Sequence, residues 1–363
     1  MHSVLEEYVS ELDSLDKYIN YILSLRHLTS KSVKGRIISP HAEKINLIRE
    51  NMPDALSHRK FDYCSVIISL YGLFERFMED SISLTVKEFT KIAASYSDMP
   101  DDIRKNNLIF TLEFLLNKYN NAHTENSAVI IESLHKCLSG QPDFSVLDKA
   151  FYSHNTNFWM KSIKKSLSDS GIKNIEDKLL RTPSMQDYLI YKYPDLDTKG
   201  AKDQFKEIFD YVDELASRRN EVAHGNASDI IRIEDISNDW ILFFQYFAFS
   251  IFEVIRSEII NHTLTMSGFA CGPPIKVYRR NIVCFDPIAS SFGLGDILVA
   301  RSGEENQPTT ASTISSIQIN SLNKDFITQK NTEAFALKAG VGYSRNQEFF
   351  ILKEGTLSDW IIG

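Results

Sequence analysis

Hydrophobic residues recur at helical spacing through the first two thirds of the chain. Residues 3–29 carry apolar side chains three and four positions apart, with charges on the opposite face, and so predict one long amphipathic helix. Residues 61–94 predict a second helix, whose middle from Val66 to Phe74 is apolar nearly all round and should lie in a core. Shorter helical runs are predicted at 42–50, 102–119, 125–137, 158–167 and 187–191.

Two more helices are predicted over residues 199–224 and from about 229 to about 261. Gly225 suits the left-handed turn beyond the end of the first of these helices, and Ser228 or Asp229 can cap the second. Because the linker between them is short, we expect the two helices to be antiparallel neighbours in a bundle.

The stretch from Trp240 to Ile255 resembles a membrane segment in its content of Phe and Ile. Gln245, Ser250 and Glu253 interrupt it, and it is shorter than the ~20 apolar residues that a membrane span needs. The pattern therefore predicts a helix buried in the bundle and no association with a membrane.

The pattern changes after Thr265. Gly268, Gly272, Pro273 and Pro274 mark a boundary. Short β-branched or aromatic runs then alternate with turn residues, at 275–285, 296–300, 314–320, 335–339 and 348–352. Such runs are typical of a small all-β domain of the sandwich or barrel class. The predicted fold is therefore a mainly α-helical bundle domain over residues 1–265, followed by a small β-barrel domain over residues 270–363.

Composition limits the kind of nucleic-acid site that the chain can offer. The 363 residues carry a net charge of −8, and the nine basic and nine acidic residues after Ser267 cancel, so the helical part holds the whole acidic excess. Any RNA site there must be a local patch. The cluster of Lys161, Lys164 and Lys165 beside Trp159 is either such a patch or an ordinary solvated helix face.

The cysteines indicate a reducing compartment. Cys64, Cys137, Cys271 and Cys284 form neither a CxxC pair nor a zinc-ligand spacing, and no apolar signal-peptide core follows the N-terminus. We therefore expect a cytoplasmic protein.

The candidate chemistry is concentrated between Ser217 and Gly225, at the predicted end of a helix. There Arg219 is followed directly by Asn220, and His224 lies within about two helical turns. A histidine can take the proton from a ribose 2′-hydroxyl or give one to the leaving 5′-oxygen. A guanidinium keeps its charge and matches the geometry of a phosphate, and a neighbouring Asn can orient the histidine or donate to a phosphate oxygen. These residue types suit RNA cleavage without a metal.

Spacing alone is weak evidence for such a site. Arg36 and His41, and also Arg256 and His262, have similar separations, although Pro40 interrupts the first pair. Basic residues in a last helical turn also offset the helix dipole, so a purely structural helix end is the alternative interpretation. The sequence lacks the motifs of metalloproteases, P-loop nucleotidases and serine hydrolases, and we expect no metal and no other cofactor.

The run Arg219-Asn220-Glu221-Val222-Ala223-His224-Gly225, at the end of a long helix, resembles the R-x4-6-H signature of the HEPN superfamily. It is most similar to the HEPN proteins of bacterial toxin and phage-defence loci, and the resemblance spans residues 1 to about 265. By position it assigns catalysis to Arg219, Asn220 and His224, gives Arg218 a role in binding the substrate phosphate, and matches Glu75 with an acidic residue that some members place opposite the motif. It implies a metal-independent endoribonuclease and a homodimer with two motifs face to face.

The C-terminal part is similar, in the order of three short motifs, to the small β-barrel of translational GTPases. The motifs are Gly295–Leu298, Thr313–Gln318 and Ala339–Gly342. This resemblance implies a module that recognises RNA, a ribosomal component or a partner protein.

We therefore expect an RNA-cutting effector of a bacterial toxin–antitoxin or anti-phage system, with RNA as substrate and a cognate antitoxin or defence protein as a further partner. Two alternatives stay open. In the first, a non-catalytic HEPN module dimerises and its β domain binds a partner, and an Arg219 side chain buried in a salt bridge would favour it. In the second, the chain is a regulatory partner of a nucleotidyltransferase, which adenylylation of a tyrosine near the motif would reveal.

Overall fold

The computed structural model describes residues 2–29, 42–118, 126–153, 157–194, 202–227, 229–340 and 342–362. Up to Ser267 the described chain is mainly helical. Its α-helices are α1 Ser3–Thr29, α2 Ala42–Asn51, α3 Ala55–Ile92, α4 Asp101–Lys118, α5 Ser127–Leu138, α6 Met160–Asp169, α7 Ile175–Leu179, α8 Pro183–Lys192, α9 Asp210–Ala223, α10 Ile233–Asp235 and α11 Ile241–Ser267. Short 3-10 helices occupy Tyr96–Asp98, Asp148–Phe151 and Lys202–Phe209, and a π-helical segment, Ile236–Trp240, joins α10 to α11.

The chain divides into two compact units. The first contains residues 1–80, 156–163 and 203–249, and the second contains residues 81–155, 164–202 and 250–363. The second unit thus combines helices from the middle of the chain with the C-terminal strands. The predicted boundary between residues 265 and 270 coincides with the change from α11 to the first strand, and as a domain boundary it stays a prediction.

The first unit is a helical bundle in which α1 runs antiparallel to α3. Tyr8 near the start of α1 stacks on Phe77 with a centroid distance of 4.4 Å, whereas Arg26 near its end pairs with Asp62 at 2.8 Å. Helices α9 and α11 are also antiparallel. The Phe209 ring, directly before α9, lies 6.2 Å from that of Phe247, whereas the Arg218 guanidinium near the end of α9 lies 5.9 Å from the Trp240 ring, directly before α11.

The core of this bundle follows from the apolar faces that the sequence predicts. Val66, Ile67, Leu70 and Phe74 of α3 are fully buried, and the Phe74 ring lies 5.0 Å from that of Phe244 in α11. Removing these apolar faces from water is the main driving force for packing α3 against α9 and α11. The helix from Ile233 to Ser267 is long and apolar enough to cross a membrane, but 67% of its most apolar window is buried, as in the core helix of a soluble protein.

The predicted helix over residues 199–224 is partly wrong. Lys199 lies outside the described residues, and Lys202–Phe209 is a 3-10 helix that precedes α9. The next helix begins at Ile233 with Arg232 as its N-cap, rather than after Asp229, and Ser228 lies outside the described residues.

In the second unit, strands begin immediately after α11. They are β1 Phe269–Ala270, β2 Lys276–Tyr278, β3 Ile282–Phe285, β4 Phe292–Gly293, β5 Ile297–Ser302, β6 Thr310–Thr313, β7 Ser316–Ile319, β8 Leu322–Lys324, β9 Phe326–Ile327, β10 Phe335–Lys338 and β11 Gln347–Leu352. Neighbouring strands in the described sheets are antiparallel, in the orders β1-β11-β5-β6, β2-β3-β10-β7-β8 and β4-β9.

The β class was predicted correctly, but the barrel was not. The described strands form separate antiparallel sheets that do not close into a barrel. Their buried side chains, including Phe285, Phe292, Phe335 and Phe349, form one apolar cluster that fills the space between the sheets.

The predicted strand over 275–285 is in fact a hairpin. Arg279 and Arg280 connect β2 to β3 with φ of 48° and 58°, the left-handed region used by tight hairpin turns. Since the turn lacks the usual Asn-Gly signal, residue types alone do not reveal it.

Candidate functional site

The predicted motif lies at the C-terminal end of α9, which closes in a Schellman turn. The Gly225 N–H donates to the Val222 carbonyl at 3.0 Å, and the Asn226 N–H donates to the Glu221 carbonyl at 2.9 Å. Gly225 has φ of 73°, the left-handed conformation that this turn requires of the residue after the cap. The backbone around His224, which is the C-cap, is therefore held by regular hydrogen bonds.

His224 is exposed to solvent, as an acid–base residue that must meet a substrate needs to be. Its backbone N–H donates to the Asn220 carbonyl at 3.0 Å, so the two residues are one helical turn apart and lie on the same side of α9. Asn220 is half-buried and its side chain turns toward Arg219.

Arg219 is held by neutral groups only. Its Nη1 donates to Asn157 Oδ1 at 3.1 Å and to Asn220 Oδ1 at 3.2 Å, and its guanidinium carbon lies 4.8 Å from the centre of the Tyr71 ring. Among the described residues no carboxylate pairs with Arg219, and its Nε and Nη2 have no hydrogen-bond partner. These two nitrogens form the edge of a guanidinium that binds a carboxylate or phosphate through two parallel hydrogen bonds.

In other arginines of this protein, the edge formed by Nε and Nη2 binds a nearby carboxylate. Arg26 binds Asp62, Arg232 binds Asp235 and Arg301 binds Glu348, in each case through both Nε and Nη2. The corresponding edge of Arg219 carries no such partner in the described parts of the chain. Arg219 is therefore a half-buried cation with an open binding edge.

Arg218 differs sharply from its neighbour. Its side chain is only 11% exposed, and its Nε and Nη2 both contact Glu214, at 2.8 and 2.7 Å. Its Nη1 donates to the Tyr63 hydroxyl at 3.1 Å and to the Asp229 carbonyl at 2.8 Å. Burial opposes the charge, but the hydrogen bonds to Tyr63 and Glu214 raise the pKa of Arg218. These contacts tie α9 to α3 and to the loop after His224, and the predicted role of Arg218 in substrate binding stays a prediction.

Two residues that the sequence did not suggest complete the surroundings of Arg219. Asn157, which precedes α6, accepts from Arg219 and also from the Tyr71 hydroxyl at 3.2 Å. The Tyr71 hydroxyl in turn accepts from the Phe158 N–H at 3.0 Å, and burial raises its pKa. Tyr71 belongs to an apolar run and Asn157 to no motif, so only the packing of distant segments brings them to α9.

Glu75 lies near this group, as expected, but without the basic partner that its position predicts. The Tyr71 hydroxyl lies 3.4 Å from its Oε1, and in the described chain no basic side chain pairs with it. One turn further along α3, burial and the neighbouring charges of Glu75 and Asp80 raise the pKa of Glu79 to about 7. The acidic side of the site is thus a partly buried row of carboxyl groups.

The two other Arg–His pairs have different fates. Arg36 and His41 lie outside the described residues. Arg256 donates through Nε to the Ile361 carbonyl and through Nη2 to the Ala311 carbonyl at 3.4 Å. His262 contacts the Asp98 carbonyl through Nε2 at 2.7 Å and lies edge-on to Phe89 at 5.2 Å. Both side chains of this pair are used in packing.

Two of the three lysines of the basic cluster in α6, Lys161, Lys164 and Lys165, form ion pairs within the protein. Lys164 binds Glu176 and Lys165 binds Asp169, each at 2.8 Å. Within the described ranges, no group of three or more His, Cys, Asp and Glu side chains is arranged to hold a metal ion.

Comparison with known proteins identifies the helical part. A family profile described as RiboL-PSP-HEPN matches residues 41–257, more than half of the chain, and it includes the whole Arg219–His224 motif together with Tyr71 and Asn157. No curated protein and no solved structure matches the chain. The match and the helical bundle agree with the resemblance of the motif to HEPN domains, and the chain belongs to the RiboL-PSP-HEPN family.

Proposed function

We propose that the protein is a metal-independent endoribonuclease, acting as the effector of a bacterial toxin–antitoxin or anti-phage system from a site built on Arg219, Asn220 and His224. HEPN domains are generally ribonucleases, and membership of the family supports an activity on RNA. The observation that carries the proposal is the open edge of Arg219, since three other arginines use the same edge for an acid.

The residue chemistry accounts for each step of the cleavage. His224 removes the proton from a ribose 2′-hydroxyl, and the 2′-oxygen forms a bond to the adjacent phosphorus. The bond from phosphorus to the 5′-oxygen breaks, and an imidazolium returns a proton to that oxygen. The products are a 2′,3′-cyclic phosphate and a 5′-hydroxyl. Arg219 stabilises the extra negative charge on the pentacoordinate phosphorus, as a preorganised cation does without a metal.

A homodimer supplies the second acid–base group in this proposal. His224 is exposed, so a second copy can bring its own imidazole to the other side of the phosphate. The face of α3 next to Tyr71 suits such a partner. Phe61 and Ile68 are 62% and 44% exposed on it, and a Cβ at Gly72 would meet no atom within 4 Å. A glycine inside a helix costs about 1 kcal/mol, and close approach of a second helix would explain it.

The direct test is His224→Ala with a mixed pool of single-stranded RNA. We expect cleavage to fall by at least about 100-fold, because a general acid–base residue contributes 10²–10⁴-fold. Since His224 is exposed, the thermal unfolding midpoint should stay close to that of the unaltered protein. Cleavage should also persist in EDTA. Undiminished cleavage by the variant, or its loss in EDTA, would refute the proposed mechanism.

The interaction-module alternative predicted an Arg219 buried in a salt bridge. Among the described residues Arg219 forms no ion pair, so this particular sign of a non-catalytic domain is missing. In the test above, a protein that dimerises and never cuts RNA would nevertheless support that alternative.

A further inference from the structure

We infer that Asn157 is a positioning residue, which with Tyr71 aims the open edge of Arg219 at the scissile phosphate. The inference rests on the proposed function and adds a residue to it that lies outside the Arg–His motif. Asn157 orients the guanidinium and does not itself contact the RNA.

The geometry is a closed set of hydrogen bonds around one nitrogen of Arg219. Nη1 has two hydrogens, and they have two acceptors, Asn157 Oδ1 and Asn220 Oδ1, at 3.1 and 3.2 Å. Asn157 Nδ2 donates to Asn220 Oδ1 at 3.4 Å and closes the triangle. Because both hydrogens of Nη1 are engaged, the planar guanidinium cannot rotate freely, and the edge formed by Nε and Nη2 has one direction.

Asn157 is itself held from two sides. The Phe158 N–H next to it donates to the Tyr71 hydroxyl at 3.0 Å, and that hydroxyl contacts Asn157 Oδ1 at 3.2 Å. Three residues after Asn157, the Met160 N–H donates to Asp213 Oδ1 at 2.6 Å, which fixes the start of α6 to α9. A short segment anchored to both α3 and α9 is a rigid support for the arginine.

The neutrality of Asn157 matters as much as its position. Tyr71, Asn157 and Asn220 contact Arg219 through a ring and two amide oxygens, so the full positive charge stays available. A carboxylate at the same place would keep the hydrogen bond to Nη1 and would also neutralise the guanidinium. A positioning role and a merely structural role therefore predict opposite effects for Asn157→Asp.

The experiment compares Asn157→Asp, Asn157→Ala and Tyr71→Phe in cleavage of an end-labelled synthetic single-stranded RNA. For Asn157→Asp we expect kcat to fall by about 100-fold, the effect of a misplaced or neutralised catalytic group, while the unfolding midpoint stays equal or rises. For Asn157→Ala and Tyr71→Phe we expect a fall in kcat of about tenfold, because Arg219 loses one of its two Nη1 acceptors in the first variant and Asn157 loses its hydrogen bond to the Tyr71 hydroxyl in the second. The change in KM should be smaller than that in kcat.

Asn226→Asp is the matched control, since it adds the same charge close to His224 at an exposed side chain. We expect it to retain nearly full activity. An equal loss in Asn226→Asp and Asn157→Asp would mean that any negative charge near the motif inhibits, and would overturn the inference. So would full activity of Asn157→Asp in a protein whose cleavage depends on His224.

Failure of the proposed function is distinguished by a measurement that needs no activity. Nitrogen NMR of the Arg219 guanidinium, assigned by the loss of its signals in Arg219→Lys, reports rotation about the bond to Nη1. We expect separate, slowly exchanging Nη signals in the unaltered protein and averaged signals in Asn157→Ala. If the unaltered protein cuts no RNA but shows this change, the ribonuclease proposal fails and Asn157 still orients Arg219. Identical signals in both proteins would refute the positioning role.

Discussion

Helices α9 and α11 each carry an arginine followed at nearly the same spacing by a histidine, and the protein uses the two pairs in opposite ways. At the end of α9, Arg219 contacts two amide oxygens and a ring, and His224 is exposed. In the second half of α11, Arg256 donates to the Ile361 and Ala311 carbonyls, and His262 contacts the Asp98 carbonyl. The first pair can still bind a ligand. The second pair connects α11 to the C-terminal segment, to β6 and to the 3-10 helix Tyr96–Asp98.

This difference shows that an Arg–His spacing becomes a candidate site only through what surrounds it. Burial lowers the pKa of Arg256 because the charged form is desolvated, whereas two carbonyl oxygens compensate with hydrogen bonds. Arg219 is held by hydrogen bonds to Nη1 and by the Tyr71 ring, and its Nε and Nη2 remain available to bind a ligand. The same contrast recurs between adjacent residues. Arg218 binds Glu214 through Nε and Nη2, whereas the same two nitrogens of Arg219 have no partner among the described residues.

The largest effects should come from exchanging each arginine of the two pairs for alanine. Arg219→Ala should lower RNA cleavage by about 10²–10³-fold, as removal of a preorganised donor does, and change the free energy of unfolding by about 1 kcal/mol or less. Arg256→Ala should leave cleavage by the folded protein nearly unchanged and reduce the free energy of unfolding by about 2–4 kcal/mol, since two buried carbonyls lose a charged donor. Cleavage assays and urea titrations check both.

The result that would break the comparison is a reversal. If Arg256→Ala abolished cleavage in a fully folded protein, the second pair would belong to the active site. If Arg219→Ala mainly unfolded the protein, the first pair would be structural as well.

A smaller effect is expected for Arg218→Ala, which tests whether the neighbouring arginine belongs to the structural class. The loss of its bonds to Glu214, to the Tyr63 hydroxyl and to the Asp229 carbonyl should reduce the free energy of unfolding by about 1–3 kcal/mol. Cleavage should fall less than in Arg219→Ala. A loss of RNA affinity without a loss of stability would instead support the phosphate-binding role predicted for Arg218.

The smallest effect concerns Glu79, on the acidic side of the site in α3, and it depends on pH. The pKa of Glu79 is raised from 4.5 to about 7 in the folded protein, so the folded state binds this proton more tightly than the unfolded state. The stabilisation is fully present below pH 4.5 and is lost as the pH rises through 7. Because glutamine does not ionise, Glu79→Gln should match the unaltered protein at pH 4 and unfold at a higher temperature at pH 8. Equal midpoints at pH 8 would mean that Glu79 ionises without cost.

Much of the fold was predictable because helices are encoded by local periodicity. α1 has its predicted bounds, α3 spans Ala55–Ile92 where 61–94 was predicted, and all the predicted β runs contain strands. The errors have local causes that periodicity does not carry. The turn at Arg279 and Arg280 lacks glycine, and the 3-10 helix Lys202–Phe209 keeps an apolar face compatible with an α-helix. Closure of a sheet into a barrel depends on pairing between distant strands, which the pattern of single strands does not specify.

The sequence by itself determined that a helix ends after Arg219, Asn220 and His224. Both signals, the apolar stripe of the helix and the glycine that ends it, depend only on residues close together in the chain. It also determined the class of chemistry that these side chains can perform. Only the tertiary structure decided which arginine is free. Tyr71, Asn157 and Arg219 are far apart in the chain, and their meeting results from the packing of α3 and the start of α6 against α9. A hydrogen bond between distant segments depends on the whole core that holds them, and no short stretch of residues encodes it.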